Sequence, residues 1–222
     1  LGIAGCGAAF AAGRIGWAVG AAVLATIEPH LAVGVWLGLG VASRAARIPL
    51  LVAGAGLAAL SVLATGVGRN VEYVRTVLPI HGAAELTSND QFSLAHALTL
   101  AGWPAARAGI AADAAFAIAL LASLWLAWSL ATRIGRKEAW IFVPAALPLI
   151  ASPFLHEIQL VAAFPAAALA AGRCEGARAW AGRLLLVALA AIPFSLAGER
   201  HLAITLVAEA LRTEMEKCAR AE

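Results

Sequence analysis

The sequence predicts an all-α protein, a polytopic transmembrane helical bundle with short broken-helix hairpins. Three observations predict it. Hydrophobic residues make up 62% of the 222-residue chain and charged residues only 13%, about half the charged share of a soluble domain. Mean hydropathy is +0.86. The apolar runs are separated by short basic loops, and no alternating pattern recurs that would argue for strands or a barrel. Residues 1–222 read as a single transmembrane domain. Residue 1 is Leu and Leu1–Gly13 is already apolar, with no basic region or cleavage site ahead of it. The chain is therefore expected to be the C-terminal part of a longer protein.

Taken in order, Leu1–Gly13 reads as the tail of a helix reaching the cytoplasmic side. Ile15–Ile27 and Leu31–Ala42 read as two short arms joined by Glu28-Pro29-His30, since Pro disfavours helix at the residue before it. Ile48–Val67 is long and apolar enough for a full crossing. Gly68–Asp90 reads as an outer loop with an amphipathic helix over Val71–Leu78. Gln91–Gly102 reads as a short helix and Ala108–Thr132 as a second full crossing. Trp140–Ala151 and Phe154–Ala171 read as another pair of short arms. Trp180–Leu196 crosses outward, and Leu202–Leu211 starts back into a polar tail.

The second pair of arms is informative because it turns back early. The stretch from Glu138 to Gly172 is about 35 residues, short of the ~40 that two crossings need. Its turn, Ser152-Pro153-Phe154-Leu155-His156-Glu157, is expected below the outer surface. Irregular backbone at that depth is tolerated only where protein or water satisfies it. Ionisable groups there are functional candidates by default.

Orientation follows from the positive charges. Of the 16 Lys and Arg residues, all but Arg69, Arg75, Arg107 and Arg200 fall on one side in this reading, which marks that side as cytoplasmic. Both Pro-containing turns and the loop Gly68–Asp90 then face the extracytoplasmic side. The net charge of +3 and pI near 9.1 come from topological loops, and no basic face with interleaved aromatics points to nucleic acid. Cys6, Cys174 and Cys218 lack metal or redox spacing. No metal or cofactor is expected.

The polar residues inside the apolar runs are the candidate site. His156 and Glu157 are the catalytic candidates. Pro153 frees backbone groups, and His156 is expected in the first turn of the returning helix, where phosphate binds readily. There a His can meet a phosphate oxygen or move a proton; the competing reading is a capped helix with a satisfied His. Ser152 precedes the Pro, and Gln159, three residues beyond His156, is expected on the same helix face. Gln159 can orient a sugar hydroxyl or join neighbouring helices. Glu28 and His30 read either as a second wall of the same cavity or as interfacial groups in reach of water. Asn89, Asp90 and Gln91 belong to the densest polar run, Thr87–Ser93, whose residue types are also ordinary N-caps. Arg69, Arg75 and His81 read chiefly as a solvated face, His96 as a packing histidine, and Asp113 as open in role. Walker, dinucleotide, zinc-protease and serine-hydrolase patterns are absent.

The order Glu28-Pro29-His30, a loop with Tyr73 and Pro79, Asn89–Ser93, then Ser152-Pro153-Phe154-Leu155-His156 resembles the membrane glycosyltransferases of the GT-C class. It is most similar to the family 87 group, which includes enzymes using polyprenyl-phosphate-mannose. The resemblance covers nearly the whole chain but only the C-terminal part of such a protein. It implies transfer of a hexose such as mannose, with inversion, from a polyprenyl-phosphate donor to an extracytoplasmic glycolipid or glycan. It implies membrane lipids around the chain and a place in the bacterial inner (plasma) membrane. His156 matches the family's His after Ser-Pro, and Asn89, Gln91 and Ser93 fall near its Asn-x-Ser loop. Glu28 departs from the Lys that many relatives carry. The family's general base, an acid in the first outer loop, has no counterpart here. The alternatives are a secondary transporter or lipid flippase, whose broken helices look alike in sequence, or a non-catalytic membrane subunit.

Overall fold

The computed structural model describes residues 1–86, 93–152, 155–156, 159 and 162–173. Among them the regular structure is helical, with no strand. Packing divides the chain into two units, Leu1–His156 and Glu157–Glu222. Of the second unit the structure describes chiefly one helix, α10 (Phe164–Arg173); Pro165 stands in its first turn, where a missing N–H costs nothing.

The first unit opens with α1 (Gly2–Ala11) and α2 (Ile15–Leu24), folded against each other through a corner where Gly13 has φ +72°. A 3-10 turn over Ala25–Ile27 ends this arm, and α3 (Pro29–Ala42) begins the next. Glu28 is extended at φ −115°, ψ 87°, as a residue before Pro must be, and Pro29 takes the first helical position. Then come α4 (Arg44–Thr65) and, after Gly66 at φ +81°, α5 (Val67–Glu72). Asn70 fixes this corner: its amide donates to Thr65 Oγ1 and to the Gly66 carbonyl, both at 2.8 Å, and Ser61 donates to its Oδ1 at 2.7 Å.

The expected outer loop is thus helical almost throughout. α5 runs through a π-helical turn over Tyr73–Val77 into α6 (Leu78–Glu85). The wide turn precedes Pro79, which has no N–H for the α-type bond to the Arg75 carbonyl and whose ring crowds that carbonyl. α7 (Leu94–Leu100), α8 (Ala105–Ile134) and α9 (Ala139–Ala146) follow, and α9 tightens into a 3-10 turn over Leu147–Ala151.

Among the described residues, two helices are long and apolar enough to cross a membrane, α4 and α8. Their 22 and 30 residues span about 33 and 45 Å at 1.5 Å per residue. Along α4 only Ala46 and Leu50 are buried, while Ile48, Leu51, Leu60 and Leu63 are exposed.

The core lies among α1, α2, α3 and α9. It includes Cys6, Phe10, Val19, Val35, Leu39 and Ile141. Glycines set how close these helices come. α9 lies in a slot lined by Gly7 of α1 and by Gly34 and Gly38 of α3. A methyl group at Gly7 would strike the Phe142 ring, at Gly34 the Pro144 carbonyl oxygen, and at Gly38 the Trp140 carbonyl oxygen. Those two carbonyls are special. Pro144 cannot donate the helical bond to Trp140, and Pro148 cannot donate it to Pro144. The prolines release two carbonyls four residues apart, and two glycines four residues apart meet them. The hydrogen of each glycine in the Cβ direction points at a released oxygen, the arrangement of a Cα–H···O contact.

This seam makes a measurable demand. Gly38→Ala places a methyl against backbone and is expected to destabilise the protein by about 1–3 kcal/mol in a denaturant titration in detergent. Gly20→Ala, in α2 with nothing within 4 Å of the new methyl, is expected to be neutral or stabilising by up to about 1 kcal/mol.

Candidate functional site

The glycine register fixes which turns share an end of the bundle. Gly34 opposes Pro144 and Gly38 opposes Trp140, so α3 and α9 run antiparallel. The Glu28–His30 turn, at the start of α3, and the segment leading to Ser152, after α9, therefore lie at the same end of this pair. The eight residues of α9 and five of the 3-10 turn rise about 22 Å together, less than the ~30 Å of a hydrocarbon core.

Ser152 closes the arm. It is fully buried, and its N–H donates to the Leu149 carbonyl at 3.2 Å. Its φ of −56° and ψ of 135° are the extended backbone that Pro153 imposes on the residue before it. Leu155 is buried beyond the turn.

His156 is not where a returning helix would put it. It lies outside any helix, and among the described residues the next α-helix begins at Phe164. The expectation that His156 occupies a helix N-terminus is corrected. Pro165, suited to a first turn, stands at the start of α10.

His156 meets a carboxylate instead. Its Nε2 lies 3.6 Å from Glu85 Oε2, and His81 Nε2 lies 3.6 Å from Glu85 Oε1. Glu85 thus stands between two imidazoles, one at each oxygen. The Glu85 side chain is 20% exposed, His156 37% and His81 62%, so the group grades from protein interior to surroundings. Glu85 ends α6, where a carboxylate faces the negative pole of the helix dipole. The two imidazoles sit on opposite carboxylate oxygens rather than converging. Among the described residues, no three His, Cys, Asp or Glu are arranged to hold a metal ion.

The residues after Glu85 are anchored on both sides of the 87–92 segment. His96 Nδ1 lies 2.8 Å from the Leu86 carbonyl oxygen; a carbonyl only accepts, so Nδ1 carries the proton. Ser93 caps α7 by accepting the His96 backbone N–H at 3.2 Å. The C-terminal end of α6, and Glu85 with it, is therefore tied to α7.

The other expected residues divide as follows. Glu28 and His30 pair across Pro29 at 4.0 Å, with Glu28 46% and His30 17% exposed. Gln159 is buried and belongs to the second unit. Glu157, Asn89, Asp90 and Gln91 lie outside the described residues. Asp113 is exposed on α8. Glu138 is held by Arg136 at 2.9 Å in the basic loop after α8.

Glu85 is the residue that sequence reasoning passed over. The available signal was its spacing: His81 and Glu85 are four apart, which puts them on one helix face, but only if Leu78–Glu85 is read as helix. The pairing with His156 spans 71 positions and leaves no local trace. The chain matches no family model, no curated protein and no solved structure.

The cap makes a direct test of the anchoring. Ser93→Ala is expected to weaken α7 by about 1 kcal/mol, seen as faster amide exchange over Leu94–Leu100, while Ser93→Asp is expected to keep protection near the native level.

Proposed function

We propose that this chain forms part of an integral-membrane glycosyltransferase that moves a hexose from a polyprenyl-phosphate donor to an extracytoplasmic acceptor. The observation that carries the reading is the group formed by His156, Glu85 and His81, with both Nε2–carboxylate distances at 3.6 Å. It joins a turn after a broken helix to the end of a polar helical segment. On the charge-derived orientation both elements lie on the side that carries few Lys and Arg.

Several features support a membrane setting. α4 exposes Ile48, Leu51, Leu60 and Leu63, and α8 exposes Ile110, Ile118, Leu121 and Trp125. Apolar surface on this scale is rare on proteins bathed in water. The α9 arm ends short of a full crossing, so the Ser152–His156 turn belongs at membrane depth, where a glycolipid phosphate lies. In this reading the chain sits in the bacterial inner membrane with its site on the extracytoplasmic side.

The chemistry is a single displacement at the anomeric carbon. The acceptor hydroxyl attacks from the face opposite the phosphate, and the configuration inverts. His156 donates a hydrogen bond to the donor phosphate and stabilises the charge that builds there as the bond breaks. Ser152 fixes the turn that presents it. Glu28 and His30, at the same end of the α3–α9 pair, supply a second polar edge for the sugar or acceptor.

The test uses the full chain in native membranes with a labelled polyprenyl-phosphate hexose. His156→Ala is expected to lower transfer by roughly 100-fold or more at wild-type protein levels. Full transfer by the variant would contradict the reading.

A further inference from the structure

Between α4 and the Glu85–His156 contact the chain runs as one helical arm, made of α5, the π-helical turn and α6. None of the arm's residues is buried, although helices in proteins draw most of their stability from packing an apolar face. The arm is far from uniformly polar. Val67, Val71, Tyr73, Val74 and Val77 are all exposed, and apolar surface in this density marks a face that meets something other than water. The charged residues on the same stretch are Arg69, Glu72 and Arg75, all exposed. Among the described residues none of the three forms an ion pair, so two guanidiniums and one carboxylate leave the stretch net positive.

We propose that residues 67–77 form an interfacial helix that binds anionic phospholipid, with the valines at the acyl-chain boundary and Arg69 and Arg75 on lipid phosphates. The proposal takes the membrane setting argued above and does not depend on glycosyl transfer. α4 sets the depth. Its 22 residues span about 33 Å, close to the ~30 Å of a hydrocarbon core, so its end lies at the level of the headgroups. α5 starts there, past the Gly66 corner. The Asn70 hydrogen bonds to Ser61, Thr65 and the Gly66 carbonyl hold its first turn against that end.

The spacing of the side chains suits such a surface. Val67 and Val71 are four apart and Val74 is three further on, which puts them on one face. Arg69, two residues from Val67 and from Val71, leaves the helix away from the valines, with Tyr73 four residues beyond it. A Tyr at this level keeps its ring in the apolar layer and its hydroxyl in the polar one. Arg75, four beyond Val71, leaves on the valine side, where its stem lies along apolar surface while the guanidinium reaches the headgroups. The two guanidiniums thus leave on different sides and meet different lipids, each with the fork geometry that fits a phosphate. Helices of this kind bind through buried apolar area together with attraction to anionic lipid.

The experiment places a nitroxide label at Val71→Cys or Val74→Cys in the full chain, with Cys6, Cys174 and Cys218 replaced by Ala. The protein is held in nanodiscs of phosphatidylcholine with or without phosphatidylglycerol. Collisions with oxygen, which concentrates in lipid, are compared with collisions with a water-soluble nickel chelate. With phosphatidylglycerol present both labels are expected to favour oxygen. Leaving out phosphatidylglycerol, or adding Arg69→Gln with Arg75→Gln, is expected to shift both toward nickel; these positions are exposed, so the fold does not depend on them. Labels that favour nickel in every composition would overturn the proposal by making the arm a solvated face. Labels shielded from both agents would overturn it by showing that protein covers the arm. Labels that favour oxygen equally in all compositions and in the double variant would overturn it by removing the phosphates as partners of the arginines. None of these readouts involves sugar transfer, so the proposal and the transferase reading fail separately.

Discussion

The arrangement of the first unit depends on the close approach of α3 and α9. Gly34 and Gly38 meet the carbonyls of Pro144 and Trp140 at a separation that admits no side chain. Pro144 and Pro148 make those carbonyls available by withholding two helical donors. An unmet buried carbonyl costs about 1–3 kcal/mol, and a Cα–H···O contact returns about 0.5–1 kcal/mol. The weak bonds alone therefore do not offset the lost helical bonds. Dispersion between two backbones brought together over a row of glycines supplies the rest. The prolines that weaken α9 on its own thus tie it to one partner.

The site follows from this seam. A helix interrupted by two prolines is short, and its end at Ser152 is set by where the glycines lock it. Ser152, before Pro153, is extended, and His156 lies at the flank of α6 beside Glu85. From the other side, Pro79 widens the preceding turn, and the His96 and Ser93 contacts hold the end of α6 against α7. Two proline-shaped elements far apart in sequence thereby bring an imidazole and a carboxylate together.

Much of this organisation was legible from local pattern. The short arms joined at Pro29, the long apolar helices α4 and α8, and the broken arm after Trp140 all appear near their expected positions, because Pro and apolar run length act locally. The Gly68–Asp90 region was less legible. Arg69, Asn70, Glu72 and Arg75 have the polarity of a loop, yet the Asn70 clamp and good local helix formers keep the chain helical. The role of Gly34 and Gly38 was visible only as a general abundance of small residues; their partners on α9 required the fold. Glu85 was invisible for the same reason, since its meaning comes from His156, a distant residue on a different element.

The central claim is that the end of α6 and the turn after α9 meet, with residues 85 and 156 as neighbours. The most direct measurement is cross-linking of the Glu85→Cys, His156→Cys pair in native membranes, with Cys6, Cys174 and Cys218 replaced by Ser. The account expects rapid joining by a short thiol cross-linker, and loss of that joining when Gly38→Val is added to force α3 and α9 apart. Failure to cross-link in the Gly38 background, or equal yield with and without the Val, would contradict it.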